Sequence, residues 1–115
     1  MKELTMYIRP DKLETVKEIL RAKGCHGMSV MSVMGCGIQD GDLEVGTRTE
    51  YKGNVINLIP KIKVEAVVRE EVAEDILFEI HEKLSTGNPG DGKVFVKHVE
   101  NAMRVRTGER GSKVL

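Results

Sequence analysis

The apolar residues of this chain follow two different spacings, and the order in which the spacings alternate limits the possible folds. Strands are predicted where apolar residues recur at every second position, in residues 4–8, 28–35, 58–68 and 93–99. Helices are predicted where they recur three and four positions apart, in residues 10–24 and 70–85. The predicted order is β-α-β-β-α-β, the ferredoxin-like α+β fold, in which two helices cover one face of a four-stranded antiparallel sheet.

One face of this predicted sheet has no helix to cover it. The chain of 115 residues is predicted to be a single domain, residues 1–115, and its periodicity supplies no further helices. The second strand carries Met28, Val30 and Met34 on one side and Met31 and Val33 on the other. A strand that is apolar on both sides is usually covered on both. We therefore expect the chain to associate with itself through the open face of the sheet.

Composition restricts the function classes. Lys plus Arg and Asp plus Glu both number 18, so no bulk charge favours nucleic acid or an anionic membrane surface. No apolar run approaches the roughly 18 residues that span a bilayer, and the N-terminus does not resemble a signal peptide. The prediction is a cytoplasmic protein without direct membrane insertion. Cys25 and Cys36 are too far apart for a CxxC pair, and no histidine has a ligand at standard spacing, so reduced thiols are favoured over a metal site.

A glycine-rich run precedes the last predicted strand. Glycines at 87, 90 and 92 permit positive φ, and successive amides in such a turn can bind an anion beside Lys93. The run also reads G-x-x-x-x-G-K, but it follows a helix and opens a strand, and Val94 stands where a P-loop has Ser or Thr. The hypothesis is a phosphate-binding loop without NTPase machinery. The alternative is a helix-to-strand turn that binds nothing.

Two further segments lack a clear periodicity. Residues 38–57 are polar and rich in glycine, and loops of this length are generally functional or disordered, so we predict a long mobile loop between the second and third strands. A tolerated insertion without a role is the alternative. Residues 101–115 form a tail that carries Arg104 and Arg106, which would project to the same side if the tail were extended.

These motifs together resemble a known family. Residues 86–99 match the C-terminal signature of the PII nitrogen-regulatory signalling proteins, and residues 104–109 match the segment that closes their nucleotide site. Residues 35–39 and 60–65 match the two approaches to the family's long loop, the T-loop. The resemblance covers essentially the whole chain outside residues 40–57. It implies a homotrimer with three nucleotide sites in the clefts between subunits.

The resemblance also implies roles for individual residues. The nucleotide, ATP or ADP, would be bound by Ser29, Gly37, Ile38, Gln39, Glu65, Gly87, Gly90, Asp91, Gly92, Lys93, Arg104 and Arg106. Of these, Ser29 and Glu65 would meet the adenine, and the glycine-rich loop and both arginines would meet the phosphates. The ligand 2-oxoglutarate would be bound by Gln39 through a magnesium ion, by Lys61 through a carboxylate, and by Gly90. Without a ligand, Lys61 would simply belong to a solvated strand face.

The function implied is that of a non-enzymatic sensor and adaptor. Its loop, through Glu50, Tyr51, Lys52 and Gly53, would regulate an ammonium transporter or a nitrogen-metabolism enzyme. The loop departs from the family pattern, because Ile56 replaces a tyrosine that receives a nucleotidyl group in many relatives. Modification at the usual site is therefore not expected.

Three further departures concern the partner and the nucleotide. Asn54 stands in place of a serine that some relatives phosphorylate, and Lys52 in place of an arginine that plugs ammonium channels. Ile38 stands where many relatives have an arginine near the nucleotide.

Two alternative functions stay open. One is a divergent regulator that reads another small ligand for another transporter or pathway. The other is a nucleotide hydrolase with Asp91 as base and His81 or His98 as nucleophile.

Overall fold

The computed structural model describes residues 1–37, 47–51 and 54–115. Five strands and two α-helices occur in the order β1 Lys2–Ile8, α1 Leu13–Ala22, β2 Ser29–Gly37, β3 Thr47–Tyr51, β4 Asn54–Val68, α2 Glu70–Leu84 and β5 Gly92–His98. A short 3-10 turn, Pro10–Lys12, precedes α1, and a second one, Ser112–Val114, lies in the tail after β5.

The ferredoxin-like arrangement predicted from the apolar spacing is confirmed. The main strands lie in the order β2-β4-β1-β5, and every neighbouring pair is antiparallel. In the centre, Met6 of β1 lies opposite Val64 of β4 on one side and opposite Val94 of β5 on the other. Because β5 runs antiparallel to β1, the start of β5 lies beside the end of β1.

One strand was not predicted. β3 and the first residues of β4 fall within residues 38–57, where the sequence analysis predicted no strand, and that prediction is wrong for 47–51 and 54–57. Thr47 lies opposite Leu58 and Tyr51 opposite Asn54 in an antiparallel pair. Backbone hydrogen bonds hold such a pair even when apolar residues do not alternate along it. The apolar pattern of the sequence therefore did not predict this strand. Residues 38–46 and 52–53 lie outside the described residues, and a mobile loop there stays a prediction.

Both helices pack on one face of the sheet. The buried apolar core consists of Leu4, Met6, Ile8, Val16, Ile19, Leu20, Cys25, Val64, Ala66, Val68, Ala73, Ile76, Ile80 and Leu84. α2 begins after the extended residue Arg69, and Glu70 and Glu71 in its first turn interact favourably with the helix dipole. Burial raises the pKa of the Cys25 thiol, so this cysteine behaves as part of the core.

No element that the structure describes covers the opposite face of the sheet. Lys63 lies directly across from Tyr7, and Phe95 lies across from Thr5, two residues before Tyr7 on the same face of β1, so Tyr7, Lys63 and Phe95 share this side. The Tyr7 and Phe95 rings meet edge to face, with centroids 6.1 Å apart, and Phe95 is 50% exposed. Lys63 forms an ion pair with Glu65 at 2.8 Å. The open face therefore mixes apolar groups with paired charges.

Candidate functional site

The glycine-rich loop between α2 and β5 has the positive φ angles that its sequence predicts. Gly87, Gly90 and Gly92 have φ of 80°, 98° and 113°. At Gly92 the requirement is also steric, because an added Cβ would lie 1.9 Å from the carbonyl oxygen of Tyr7. The loop therefore enters β5 in direct backbone contact with the end of β1, which only glycine allows.

A carboxylate closes the loop from within. One oxygen of Asp91, Oδ2, accepts hydrogen bonds from the backbone amides of Thr86 at 2.7 Å and Gly87 at 3.2 Å. The other, Oδ1, accepts the Thr86 hydroxyl at 2.5 Å. The hydroxyl hydrogen bond from Thr86 is the main cause that lowers the pKa of Asp91, with the two amides and the charge of Arg9 adding to it. Asp91 is thus held ionised at neutral pH.

Two cations hold the middle of the loop. Arg9, which follows β1, donates from Nη2 to the Pro89 carbonyl oxygen at 3.0 Å, and its Nε lies 3.6 Å from Asp91 Oδ1. Lys61 of β4 donates from Nζ to the carbonyl oxygen of Gly90. Partial burial lowers the pKa of Lys61, the charge of Arg9 adds to this effect, and Asp91 opposes it.

The contacts of Arg9 and Lys61 with two carbonyl oxygens also fix the direction of two backbone N–H groups in the loop. In a trans peptide the N–H points away from the C=O of the same unit. Because Arg9 and Lys61 hold the carbonyls of Pro89 and Gly90, the N–H groups of Gly90 and Asp91 point away from both cations. Among the described residues the Gly90 amide donates no hydrogen bond, and the Asp91 amide makes only the weak contact with the Asn88 carbonyl oxygen that closes the turn at residues 89–90. Adjacent backbone amides that make no strong hydrogen bond can bind an anion.

A cleft of about 270 Å³ lies beside the loop. It is lined by Tyr7, Val33, Met34, Gly35, Lys61, Gly92, Lys93 and Phe95. The walls are mainly apolar, and Lys61 and Lys93 supply positive charge at the loop. Such a cleft fits a ligand that joins an apolar ring to an anionic group.

Comparison with known proteins gives this architecture a family. The sequence profile described as nitrogen regulatory protein P-II matches residues 1–109. The chain belongs to the P-II family. Nitrogen regulatory protein P-II 2 of Methanothermobacter thermautotrophicus is 44% identical over 115 residues, covering 100% of this chain and 97% of that protein. Nitrogen regulatory protein P-II of Rhizobium meliloti is 42% identical over 111 residues, covering 96% of each chain. The protein of the same name from Haemophilus influenzae is 42% identical over 109 residues, covering 95% of each.

The predicted site residues of this P-II family member divide between two ends of the sheet. At one end lie the glycine-rich loop, Lys61 and the end of β2 at Gly37. Ser29 and Glu65 lie opposite each other further down the open face, at the level of Thr5 in β1. Of the remaining predicted residues, Glu50 and Tyr51 lie in β3, while Ile38, Gln39, Lys52 and Gly53 lie outside the described residues.

The tail that carries Arg104 and Arg106 leaves the sheet at the other end. β5 leads away from the glycine-rich loop for seven residues, about 20 Å at strand spacing, and Val99 then donates its amide to the Met1 carbonyl oxygen. The tail is not extended at these positions, so the condition under which both arginines would project to the same side is not met. The Arg104 carbonyl oxygen accepts the Gly108 amide at 2.8 Å, which closes a turn that contains Arg106. Among the described residues, no hydrogen bond or ion pair joins either arginine to the glycine-rich loop of the same chain.

Arg104 has partners within the tail. Its guanidinium forms an ion pair with Glu109 at 3.0 Å and donates to the Val114 carbonyl oxygen at 3.4 Å. The pairing orients the guanidinium and leaves several of its N–H groups available.

The sequence analysis missed two residues that hold the glycine-rich loop, Arg9 after β1 and Thr86 at the start of the loop. Arg9 stands next to Pro10 at the end of a strand, but its contact with Pro89 spans 80 positions, so no local pattern could reveal it. Thr86 was part of the matching signature, and its position at the end of α2, five residues before Asp91, was the available signal.

No described helix has the length and apolarity needed to cross a membrane.

Proposed function

We propose that this P-II protein binds ATP or ADP and 2-oxoglutarate and regulates nitrogen-metabolism targets through its long loop. The observation that carries the proposal is the glycine-rich loop, whose Gly90 and Asp91 amides make no strong hydrogen bond, next to a mainly apolar cleft lined by Lys61 and Lys93. Phosphates bind to backbone amides and cations, and an adenine fits between apolar walls. Gly87 and Gly92 shape the same loop.

A homotrimer is part of the proposal. The glycine-rich loop lies at one end of the sheet, the tail with Arg104 and Arg106 leaves from the other, and no described contact joins them, so we infer that a site using both is completed by a second chain. The open face of the sheet, with Phe95 half exposed, supports association between copies. Ser29 and Glu65 lie on that face, where a ligand in a cleft between subunits would meet them.

The proposed 2-oxoglutarate site lies at Lys61. The ammonium of Lys61 has three N–H groups and uses one for Gly90, so it can also pair with a carboxylate. Gln39 would hold magnesium together with oxygens of the nucleotide and of 2-oxoglutarate, which are the hard ligands that this ion prefers. The ion would screen the negative charges of both ligands.

The proposed output is a protein contact rather than a reaction. Residues 50–53, with their neighbours in the long loop, would dock on an ammonium transporter or a nitrogen-metabolism enzyme in the cytoplasm. Asp91 is a poor candidate for a catalytic base, because Thr86 and Gly87 already donate to its carboxylate. No described side chain hydrogen-bonds to His81 or His98, so nothing orients either as a nucleophile.

Calorimetric titration with MgATP, with and without 2-oxoglutarate, tests the proposal. We expect wild-type protein to bind ATP alone and to bind 2-oxoglutarate only when MgATP is present. K61M should lose most of the 2-oxoglutarate affinity and should weaken ATP binding less, by about tenfold or under, since it removes one contact that holds the loop while those of Arg9 and Asp91 remain. K83M, at an exposed lysine of α2, is the matched control and should behave as wild type.

Two results would contradict the proposal in different ways. Absence of ATP and ADP binding would overturn the assignment of the glycine-rich loop. Nucleotide binding with no response to 2-oxoglutarate would favour the second candidate, a divergent regulator of another pathway. The loop departures Lys52 and Ile56 are the observations that favour this candidate. Steady phosphate release at a catalytic rate would instead favour a hydrolase.

A further inference from the structure

The side chain of Asp91 places a negative charge inside the loop that is proposed to bind phosphate. The charge would repel a phosphate unless a metal ion lay between them or the carboxylate were turned elsewhere. In the structure it is turned elsewhere. Each carboxylate oxygen accepts from the start of the same loop, Oδ2 from the amides of Thr86 and Gly87 and Oδ1 from the Thr86 hydroxyl.

We propose that the Asp91 side chain is a positioning residue that closes the loop, with Thr86 as its partner, and that it does not bind the ligand. Any contact between Asp91 and a phosphate is then made by its backbone amide. This inference rests on the proposed nucleotide-binding function and assigns a separate role to the one acidic side chain of the loop.

The closure explains how the backbone amides of Gly90 and Asp91 keep their direction. Asp91 joins the end of the loop to Thr86 at its start. The two hydrogen bonds from Thr86 are short, which restricts movement of one end of the loop relative to the other. The peptides of Pro89 and Gly90 are then held from the other side by Arg9 and Lys61. If the closure opened, the loop would gain backbone freedom, and that freedom would have to be lost again on binding.

Arg9 links this closure to the sheet. Its Nε is buried, has no hydrogen-bond partner among the described residues, and lies 3.6 Å from Asp91 Oδ1. The positive charge of Arg9 compensates the negative charge of the Asp91 carboxylate. This compensation allows an ionised side chain to lie close to the proposed phosphate site.

The test compares substitutions that separate the shape of Asp91 from its charge. D91N keeps an acceptor oxygen for the amides of Thr86 and Gly87 but removes the charge, whereas D91A removes both. T86V removes only the hydroxyl, and T86S restores it. E82Q, at an exposed carboxylate of α2, controls for loss of a negative charge. ATP affinity is measured by calorimetry for each protein, once with magnesium and once with EDTA.

We expect D91A and T86V each to bind ATP about tenfold more weakly than wild type, because each opens the closure. D91N, T86S and E82Q should stay within about threefold of wild type. The ratios should be the same with magnesium and with EDTA. A loss in D91N as large as in D91A, present only with magnesium, would show that Asp91 is a metal-bridged ligand and would overturn the proposal. Wild-type affinity in both D91A and T86V would also overturn it.

Amide hydrogen exchange tests the closure without nucleotide. The Thr86 and Gly87 amides should exchange slowly in wild type and at least tenfold faster in D91A, while core amides such as that of Ile76 stay unchanged. Fast exchange at both positions in wild type would contradict the closure. If wild type failed to bind ATP but showed this protection, the proposed function would fall and the closing role of Asp91 would stand.

Discussion

At the scale of single residues, Gly92 has the strictest requirement in the described part of the chain. It combines a φ of 113° with a backbone approach so close that a methyl group would overlap the Tyr7 carbonyl oxygen. The glycine-rich loop and the first pair of β5 with β1 therefore depend on the same residue. A substitution there disturbs the fold and the site together.

Replacement of Gly92 by alanine should lower the free energy of unfolding by at least about 3 kcal/mol, from backbone strain and overlap together. Gly24 is the matched control, since its φ is also positive, at 80°, but no atom lies within 4 Å of an added Cβ. G24A should cost only about 1–2 kcal/mol, the strain alone. Urea unfolding followed by circular dichroism measures both, and equal losses would contradict the steric argument.

The stability contributed by Asp91 should disappear in acid. Its pKa in the folded protein lies below the ordinary value of 3.8, so the folded state binds the proton less tightly than the unfolded chain. The contribution is therefore fully present above pH 3.8 and is lost as pH falls through the lower folded value. The difference in unfolding free energy between wild type and D91N should be constant from about pH 5 to 7 and change progressively below about pH 4. A difference that is constant down to pH 2 would contradict this.

At the scale of elements, α2 shows how apolar spacing fixes an inner and an outer face. Ile76 is 0% exposed and Phe78, two residues later, is 66% exposed. I76A should lower the free energy of unfolding by about 3 kcal/mol, because it leaves a cavity between helix and sheet. F78A removes a larger side chain and should change stability by less than about 0.5 kcal/mol. Thermal or urea unfolding distinguishes them, and a larger loss in F78A would mean that the outer face is covered.

The elements that bury an apolar face could be predicted from the sequence, and those held by the backbone alone could not. α2 was predicted over residues 70–85 and spans Glu70–Leu84. β3, Thr47–Tyr51, is polar and pairs through main-chain hydrogen bonds, so nothing in its side chains announced it. The turn after Arg104 was missed for a similar reason, since Gly108 closes it through its amide.

The candidate site was predictable to the extent that it is contiguous in sequence. The glycine-rich loop was found because glycine and lysine at fixed spacing report a backbone shape. Arg9 was not found, because its contact with Pro89 depends on β1 and β5 being neighbours in the sheet. The separation of Arg104 from the loop likewise follows from strand direction, which composition and spacing do not give.

At the scale of the whole molecule, two exposed phenylalanines test which face associates. Phe95 lies on the open face of the sheet and Phe78 on the outer face of α2, with exposures of 50% and 66%. F95E should convert the proposed trimer to monomers, since it places a charge in an apolar contact. F78E should leave the trimer intact. Sedimentation analysis at several protein concentrations measures the oligomeric state of both variants. A trimeric F95E protein would show that another surface holds the copies together.

The opposite placement of loop and tail has a consequence for mixed populations of chains. If the tail of one copy completes the loop of the next, the contact joins unlike surfaces, and such contacts either close into a ring or grow into a filament. In a closed ring every site belongs to two chains. Chains that carry D91A and chains that carry R104A would each form defective sites alone, yet mixed rings would contain a junction where an intact tail meets an intact loop. Two weakly binding proteins would then form some sites of full affinity on mixing.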